Sequence, residues 1–224
     1  MKKNFLISTG GSGGHVVPAE ILADHLRKDY EIFISTDLRG NNFIKKDKDR
    51  IYIFNTPKLN FDYLILFKFI KVVFLTLKSY FFLKKNRINK VISTGGYMSL
   101  PVCISAKLLN LELYLYEPNF VLGRANKFFL KFCKAIICNN EELINFPERY
   151  KGKIRLTPSL VRKRFYEIKN LKKENEKFCF LVAGGSQGAA VFENIIHSVI
   201  INLAKKYKIK IIQQTRSKNI INLK

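Results

Sequence analysis

The residues best suited to chemistry follow a short apolar run near the start of the chain. Residues 5–7 are apolar, residues 10–14 hold four glycines around Ser12, and His15 comes next. Glycine permits positive φ and the close approach of a ligand. A turn between a strand and a helix directs backbone N–H groups at anionic or polar groups. Histidine changes charge near neutral pH. The segment predicts a binding turn with a proton-accepting side chain; the alternative is an ordinary helix start with His15 bonded to backbone.

The same pattern of strand, glycine turn and helix recurs twice. Gly95 and Gly96 follow the apolar residues 91–92, and Tyr97 comes directly after them. Residues 178–182 are apolar and lead into a glycine-rich turn that contains Ser186 and Gln187. The second copy, far along the chain, indicates two α/β units that each offer a turn to a phosphate or a sugar. For Ser186 the structural alternative is a helix N-cap.

The elements needed to position these turns alternate between strand and helix. We predict strands near 5–7, 31–36, 51–54, 91–94, 113–116, 135–138, 178–182 and 210–214, and helices between most of them. This alternation predicts an α/β fold with doubly wound parallel sheets and a site at the carboxyl ends of the strands. The pattern loosens over 139–164, which we interpret as a domain edge and linker. The predicted domains are 1–160 and 161–224, and the second has only one β-α-β unit.

The most apolar segment, residues 61–83, is predicted to be one helix. Lys68, Lys71 and Lys78 fall within about 80° of one another on a helical wheel, and Ser79 belongs to the same stripe. The opposite face is aliphatic and aromatic. Three interpretations stay open: a core helix that covers the sheet and turns its lysines to water, a helix lying in a membrane interface, and a membrane span, which the lysines disfavour.

Composition restricts the class of protein. The formal net charge is +23, which favours anionic partners such as nucleic acid, an anionic membrane surface or phosphorylated substrates. The alternative is an AT-rich genome, whose codons favour lysine. No helix-turn-helix, zinc-finger or RNP-like pattern is present, so nucleic acid is not an expected partner. The three histidines lie far apart in sequence, and no metal or other cofactor is expected. The four cysteines form no C-x-x-C pair, and we expect buried, reduced thiols. No signal peptide is expected at the N-terminus.

Four motifs in order resemble the MurG family of bacterial glycosyltransferases. They are Gly-Gly-Ser-Gly-Gly-His at 10–15, Gly-Gly-Tyr-Met-Ser at 95–99, Glu-Pro-Asn at 117–119 with Asn126, and Gly-Gly-Ser-Gln-Gly at 184–188. The resemblance runs along essentially the whole chain, which corresponds to about the first two-thirds of the family's usual length. It implies a GT-B fold with two Rossmann-like domains, the second one incomplete here.

The resemblance also implies roles for individual residues. Ser12, Gly13 and Gly14 match the turn that reaches the donor sugar, and Asn119 matches a donor-sugar contact. The turn at 10–15 and the turn with Gly95, Gly96 and Tyr97 would face the acceptor's pyrophosphate and the reacting centre. Ser186, with Gln187 beside it, matches the loop that holds the nucleotide diphosphate, and Arg162 matches an arginine near the donor phosphates. The structural alternatives are an Asx turn for Asn119 and a solvated linker charge for Arg162.

The implied reaction is inverting transfer of N-acetylglucosamine from UDP-N-acetylglucosamine to undecaprenyl-pyrophosphoryl-muramoyl-pentapeptide, at the cytoplasmic face of the inner membrane and without a metal. His15 is the expected base or acceptor-positioning residue. The chain departs from the family's His-Glu-Gln-Asn pattern at two positions. Tyr116 and Pro118 stand where the family has histidine and glutamine. Family residues for the uridine and the sugar would lie beyond residue 224. The alternative is therefore a non-catalytic, membrane-associated fragment or subunit, with a possible second chain supplying the donor-binding half.

Overall fold

A computed structural model describes residues 2–44, 50–60, 62–167, 178–184, 196, 198–207 and 209–214. The chain divides into two compact units, Met1–Phe165 and Tyr166–Lys224. Each unit has its own parallel sheet. The elements that carry the first two glycine turns all belong to the first unit.

The first unit is built on a sheet of seven strands that all pair in parallel. The strands are β1 (Lys3–Ser8), β2 (Tyr30–Thr36), β3 (Arg50–Ile53), β4 (Ile88–Ser93), β5 (Glu112–Glu117), β6 (Ala135–Cys138) and β7 (Ile154–Leu156). Their order is β3-β2-β1-β4-β5-β6-β7. This order reverses between β1 and β4, as in a doubly wound sheet, and ligands bind at that reversal in folds of this kind.

Helices cover both faces of the sheet. They are α1 (Gly13–Leu26), α2 (Leu38–Asn41), α3 (Ile65–Lys85), α4 (Leu100–Leu108) and α5 (Arg124–Phe129). Adjacent strand residues turn to opposite faces: Leu6 packs in one core cluster with residues of α3, α4 and α5, whereas Ile7 packs in another with residues of α1. Burial on both faces explains why the strands read as continuous apolar runs.

One strand was not predicted. Residues 139–164 were interpreted as a domain edge and linker, but β7 pairs with β6 through Ile136–Ile154 and Cys138–Leu156. Part of that segment is therefore an edge of the first sheet. The strand has only three residues, and Arg155 and Leu156 are exposed. The sequence therefore lacks the apolar run from which a buried strand is predicted.

Helix α3 turns its most apolar side away from the sheet. Its buried residues are Val72, Leu75, Thr76, Ser79 and Leu83. Ser79 was predicted to lie with the lysines on a solvent-facing stripe, but it is fully buried because the stripe borders the arc that packs on the sheet. As in the first of the three interpretations, α3 covers the sheet, with Leu75 and Leu83 in its core cluster, and Lys71 and Lys78 are exposed; the aromatic face, however, is not the face that packs.

The exposed arc of α3 consists of large apolar side chains. Leu66, Phe67, Phe69, Ile70, Val73, Phe74, Leu77 and Phe81 are each between 45% and 69% exposed. Among the described residues, none of the helices combines the length and apolarity that crossing a bilayer requires.

The second unit has two described strands, β8 (Phe178–Val182) and β9 (Ile209–Gln213), which pair in parallel. Residues 198–206 between them are helical. The predicted strands are confirmed. The predicted glycine turn with Ser186 and Gln187 lies outside the described residues.

The cysteines do not share one environment. Cys103, Cys133 and Cys138 are buried as predicted, but Cys179 on β8 is exposed, which contradicts the prediction for this residue. Burial raises the pKa of the Cys103 and Cys138 thiols to about 12. Since the thiolate is the reactive form, these two thiols stay protonated at neutral pH.

Thiol labelling tests this difference. At pH about 8, a thiol reagent is expected to modify the exposed Cys179 rapidly and the other three residues far more slowly, because burial blocks access and raises the pKa of their thiols. Peptide mass spectrometry identifies the labelled positions, and unfolding in urea should make all four react. Native Cys103 reacting as fast as Cys179 would contradict its burial.

Candidate functional site

The candidate site lies where the strand order reverses, at the carboxyl ends of β1 and β4. The backbone N–H of Thr94 donates to the Ser8 carbonyl over 3.0 Å, and the Thr94 hydroxyl donates to the Thr9 hydroxyl over 2.8 Å. Both threonines are buried. These bonds hold the two strand ends together, so the glycine turns that follow them start from one rigid point.

The first glycine turn is fixed by a buried carboxylate. Asp37, directly after β2, accepts hydrogen bonds from the backbone N–H groups of Gly11 and Gly40, each over 2.8 Å. A Cβ on Gly40 would lie 2.8 Å from the Cα of Gly10, which has a φ of +153°, so the two backbones approach as only glycines allow. The Gly11 N–H is therefore already used by the protein.

Helix α1 starts at this turn with donors that remain open. Ser12 is the N-cap residue, but its side chain makes no capping bond. Gly13 and Gly14 occupy the first turn, where backbone N–H groups have no acceptor within the helix. If an anion or a sugar hydroxyl binds this turn, the groups available to it are the backbone N–H groups of Gly13 and Gly14 and the Ser12 hydroxyl.

His15 is held by a backbone carbonyl. Its Nδ1 lies 2.7 Å from the carbonyl oxygen of Thr94. A carbonyl oxygen only accepts hydrogen bonds, so Nδ1 must carry the hydrogen. In the neutral ring Nε2 then has the lone pair, and the ring orientation is fixed by the strand end. This is the tautomer that a base acting through Nε2 requires.

The second glycine turn lies against the same histidine. Gly95 and Gly96 have φ of +88° and +84°. The point where a Cβ on Gly95 would lie is 3.5 Å from His15 Cε1 and 3.3 Å from Asn126 Nδ2. A Cβ on Gly96 would meet the Met98 sulfur at 2.3 Å. Larger side chains are thus excluded from the backbone beside the imidazole.

Glu117 organises the end of β5. Its buried carboxylate accepts from the Gly123 backbone N–H over 2.8 Å and from Asn126 Nδ2 over 3.0 Å. Asn119 donates to the same carboxylate from Nδ2 over 3.0 Å and from its backbone over 3.3 Å. Asn126 Nδ2 also donates to the Tyr116 carbonyl, and Asn126 Oδ1 is buried without a hydrogen-bond partner among the described residues. The network positions Asn119 and links β5 to Gly95.

Two more side chains border the glycine turns. Arg39 in α2 donates from Nη2 to the Tyr97 hydroxyl over 2.7 Å, and its Nε lies 3.7 Å from Asp37 Oδ2. Asp37 and Arg39 were not predicted as site residues. The signal available for Asp37 was an acid at a strand end with Gly40 three residues later, which is typical of a capped turn.

The remaining predicted site residues are Arg162, Ser186 and Gln187. Arg162 forms an ion pair with Glu20 of α1, with 3.6 Å between Nη2 and Oε2. Ser186 and Gln187 are outside the described residues. Their predicted contacts with donor phosphates stay predictions. Within the described ranges, no group of three or more His, Cys, Asp and Glu side chains has a metal-site arrangement.

Residues 5–138 match the family profile described as "Glycosyltransferase family 28 N-terminal domain". The matched segment is more than half of the chain and contains the first two glycine turns, His15 and the Glu117 network. The chain belongs to glycosyltransferase family 28.

Two relatives of this family 28 chain are named "UDP-N-acetylglucosamine--N-acetylmuramyl-(pentapeptide) pyrophosphoryl-undecaprenol N-acetylglucosamine transferase". The one from Pelagibacter ubique is 47% identical, and the alignment covers 100% of this chain and 63% of the relative. The one from Rickettsia felis is 31% identical, with 100% of this chain and 65% of the relative covered. The chain thus spans somewhat less than two-thirds of the length of these relatives.

A solved structure supports the predicted fold. MurG of Acinetobacter baumannii superposes with a TM-score of 0.66 at 23% identity, over 86% of this family 28 chain and 56% of that protein. The prediction of an α/β fold of the GT-B class is confirmed, and so is the predicted resemblance to the MurG family.

Proposed function

We propose that this chain works as an inverting glycosyltransferase in peptidoglycan synthesis, with its first unit binding the acceptor. The proposed reaction moves N-acetylglucosamine from UDP-N-acetylglucosamine to the 4-hydroxyl of the muramoyl sugar of undecaprenyl-pyrophosphoryl-muramoyl-pentapeptide. The observation that carries this proposal is the hydrogen bond from His15 Nδ1 to the Thr94 carbonyl, which leaves Nε2 free to accept a proton. His15 lies between the two glycine turns, where the strand order reverses, and the chain belongs to family 28. The names of the relatives supply the two substrates.

The proposed step is a single displacement. The acceptor hydroxyl oxygen attacks the anomeric carbon while the bond from that carbon to the diphosphate oxygen breaks. The hydroxyl proton moves to His15 Nε2, and UDP leaves with the electron pair. The Thr94 carbonyl, which already accepts the Nδ1 hydrogen, stabilises the imidazolium that forms.

The other site residues would bind and orient the substrates. At the α1 turn, the open N–H groups and the Ser12 hydroxyl suit sugar hydroxyls. Asn119 keeps its amide oxygen for a ligand, since Nδ2 is bonded to Glu117. The proposed substrate contacts are Ser12, Gly13, Gly14, Gly95, Gly96, Tyr97, Asn119, Arg162, Ser186 and Gln187, with the last three assigned to the donor diphosphate.

The relatives' greater length bears on donor binding. Residues 1–160 are proposed as the acceptor and membrane-side domain, and 161–224 as the start of the UDP-sugar domain. The remaining donor contacts would come from sequence that corresponds to the relatives' last third. Either a continuation of the same chain or a second polypeptide supplies them.

We propose a peripheral location on the cytoplasmic face of the inner membrane, and the exposed apolar arc of α3 supports contact with a membrane surface. A contiguous row of exposed aromatic and aliphatic side chains is unusual on a surface that faces only water. Lys71 and Lys78 are exposed on the same helix, and the chain's charge is +23. An apolar face bordered by lysines fits an anionic bilayer surface, where the side chains enter the interface and the cations meet lipid phosphates.

Vesicle binding tests this surface. The substitution Phe74→Glu on α3 is expected to weaken binding to vesicles of anionic phospholipid by at least about tenfold, because transfer of one phenylalanine side chain contributes roughly 1.5–3 kcal/mol. Vesicle flotation or co-sedimentation measures the binding.

Phe120→Glu is the matched control, since Phe120 is 63% exposed and Phe74 64%. The control is expected to bind vesicles like the unchanged protein. If both variants lose binding equally, or neither does, α3 is not the membrane-facing surface.

The proposed function is tested by transfer of labelled N-acetylglucosamine from UDP-N-acetylglucosamine to the lipid-linked acceptor. The chain is assayed alone and after it is joined to the last third of the Pelagibacter ubique relative. We expect transfer by the joined protein. Membrane binding without transfer, in the joined protein as well, would instead favour the alternative function, a non-catalytic membrane-associated subunit.

A further inference from the structure

The guanidinium of Arg39 lies at the edge of the candidate site, and the proposed function assigns no role to this cation. Its side chain is 66% exposed, in contrast to its neighbour Asp37, whose side chain is 5% exposed. One guanidinium N–H is donated to the Tyr97 hydroxyl over 2.7 Å. A guanidinium has five N–H donors in a planar fork, so most of them remain available to a ligand.

The bond between Arg39 and Tyr97 also determines what Tyr97 can do. Arginine cannot accept a hydrogen bond, so the tyrosine oxygen is the acceptor and its own hydrogen must point elsewhere. Among the described residues the Tyr97 hydroxyl makes no hydrogen bond to Asp37, whose Oδ1 accepts from the N–H groups of Gly11 and Gly40 and whose Oδ2 lies 3.7 Å from Arg39 Nε. Arg39 and Tyr97 therefore both have N–H or O–H donors left for a ligand. A pair of donors of this kind suits the oxygens of a phosphate group.

The backbone of Tyr97 follows the glycine turn that lies against the proposed base. The Cβ position on Gly96 is 4.0 Å from His15 Cδ2. Tyr97 is the next residue, and adjacent Cα atoms are about 3.8 Å apart. On the other side, Asp37 connects Arg39 to Gly11 at the start of the first glycine turn. An anion bound by Arg39 and Tyr97 would thus be held between the two glycine turns.

We propose that Arg39 and Tyr97 form a clamp for the diphosphate group of a substrate. The inference rests on the proposed function, in which both substrates carry a diphosphate. Arg39 is already oriented by Tyr97 and Asp37, so little side-chain freedom is lost when phosphate oxygens bind. The clamp positions the substrate and takes no part in proton transfer.

Binding of inorganic pyrophosphate to the purified chain tests the clamp. Calorimetry is expected to show one saturable site for pyrophosphate. The salt concentration is about 0.15 M, so that ions screen the long-range attraction between pyrophosphate and the other basic residues. Arg39→Gln should weaken binding about tenfold or more, because a charge-assisted hydrogen bond of a guanidinium to phosphate is lost. Tyr97→Phe should weaken it less, by a factor of a few, since a neutral donor is lost.

Arg149→Gln is the control for charge alone. Arg149 is also an exposed arginine beside a tyrosine, with its guanidinium 4.9 Å from the Tyr150 ring, and it follows β6 rather than the glycine turns. Arg149→Gln removes the same charge as Arg39→Gln, and pyrophosphate binding should stay unchanged. Equal weakening by Arg39→Gln and Arg149→Gln, no effect of Arg39→Gln, or no saturable site in the unchanged chain would each overturn the clamp.

Two further titrations identify the source of the diphosphate. A short polyprenyl diphosphate stands for the acceptor, and UDP stands for the donor. If Arg39→Gln weakens the binding of either ligand, the clamp is supported and the substrate it holds is identified. If the substitution weakens the binding of neither ligand, the clamp is overturned. These are binding measurements, so the clamp can fail while sugar transfer is still observed. Conversely, absence of transfer by the joined protein would reject the proposed function without changing the pyrophosphate result.

Discussion

Replacing His15 with glutamine is expected to lower kcat for sugar transfer by about 10²–10⁴, the usual contribution of a general base. The glutamine can still donate to the Thr94 carbonyl from its amide nitrogen, but it cannot take the acceptor's proton. KM for both substrates should change little, because the glycine turns that bind them keep their conformation. Steady-state kinetics with the joined protein measures both parameters.

The control for His15 is His25→Gln on the same helix. His25 is exposed on α1, so its replacement should leave kcat and KM unchanged. Two results would remove His15 from the chemical step: a kcat for His15→Gln close to that of the unchanged protein, or a loss that appears entirely in KM.

Replacing Glu117 with alanine is expected to lower the free energy of unfolding by about 3 kcal/mol. The substitution leaves the half-buried Gly123 N–H without its acceptor and removes one of the two acceptors of the buried Asn126 Nδ2. Each buried polar group left without a partner costs about 1–3 kcal/mol. Glu117→Gln should cost less, since its amide oxygen still accepts, although its amide nitrogen faces another donor. Urea unfolding followed by circular dichroism measures both changes.

Glu141→Ala is the control for Glu117, because Glu141 is exposed. Its free energy of unfolding should change by less than about 0.5 kcal/mol, as expected for most surface substitutions. A loss below about 1 kcal/mol for Glu117→Ala would show that the carboxylate does not hold the end of β5 as its hydrogen bonds indicate.

The sequence predicts the strands and the glycine turns well because these depend on local signals. The apolar runs of a buried parallel sheet and the glycines that follow them are visible residue by residue. The proximity of His15 to Gly95 follows from the parallel order of the strands, since β1 and β4 are neighbours only at the reversal. That part of the site was predictable once a doubly wound sheet was predicted.

Other features depend on tertiary contacts that no local pattern reveals. Arg39 is one of many basic residues in the chain, and only its hydrogen bond to Tyr97, far away in sequence, distinguishes it. Likewise, the wheel of α3 shows an apolar arc and a lysine stripe, but not which arc packs on the sheet. The wrong placement of Ser79 shows this: a small hydroxyl can be buried beside Leu75 and Leu83 while aromatic side chains stay outside.

The fixed tautomer of His15 is the central claim, and nitrogen NMR of the 224-residue chain tests it directly. The chain is labelled with ¹⁵N-histidine and measured at a pH of about 8.5, where an ordinary imidazole is neutral. His15→Gln assigns the His15 signals among the three histidines. We expect His15 to carry its hydrogen on Nδ1, with Nε2 showing the chemical shift of an unprotonated nitrogen. A His15 ring that carries its hydrogen on Nε2 would contradict the bond to Thr94 and the proposed role as base.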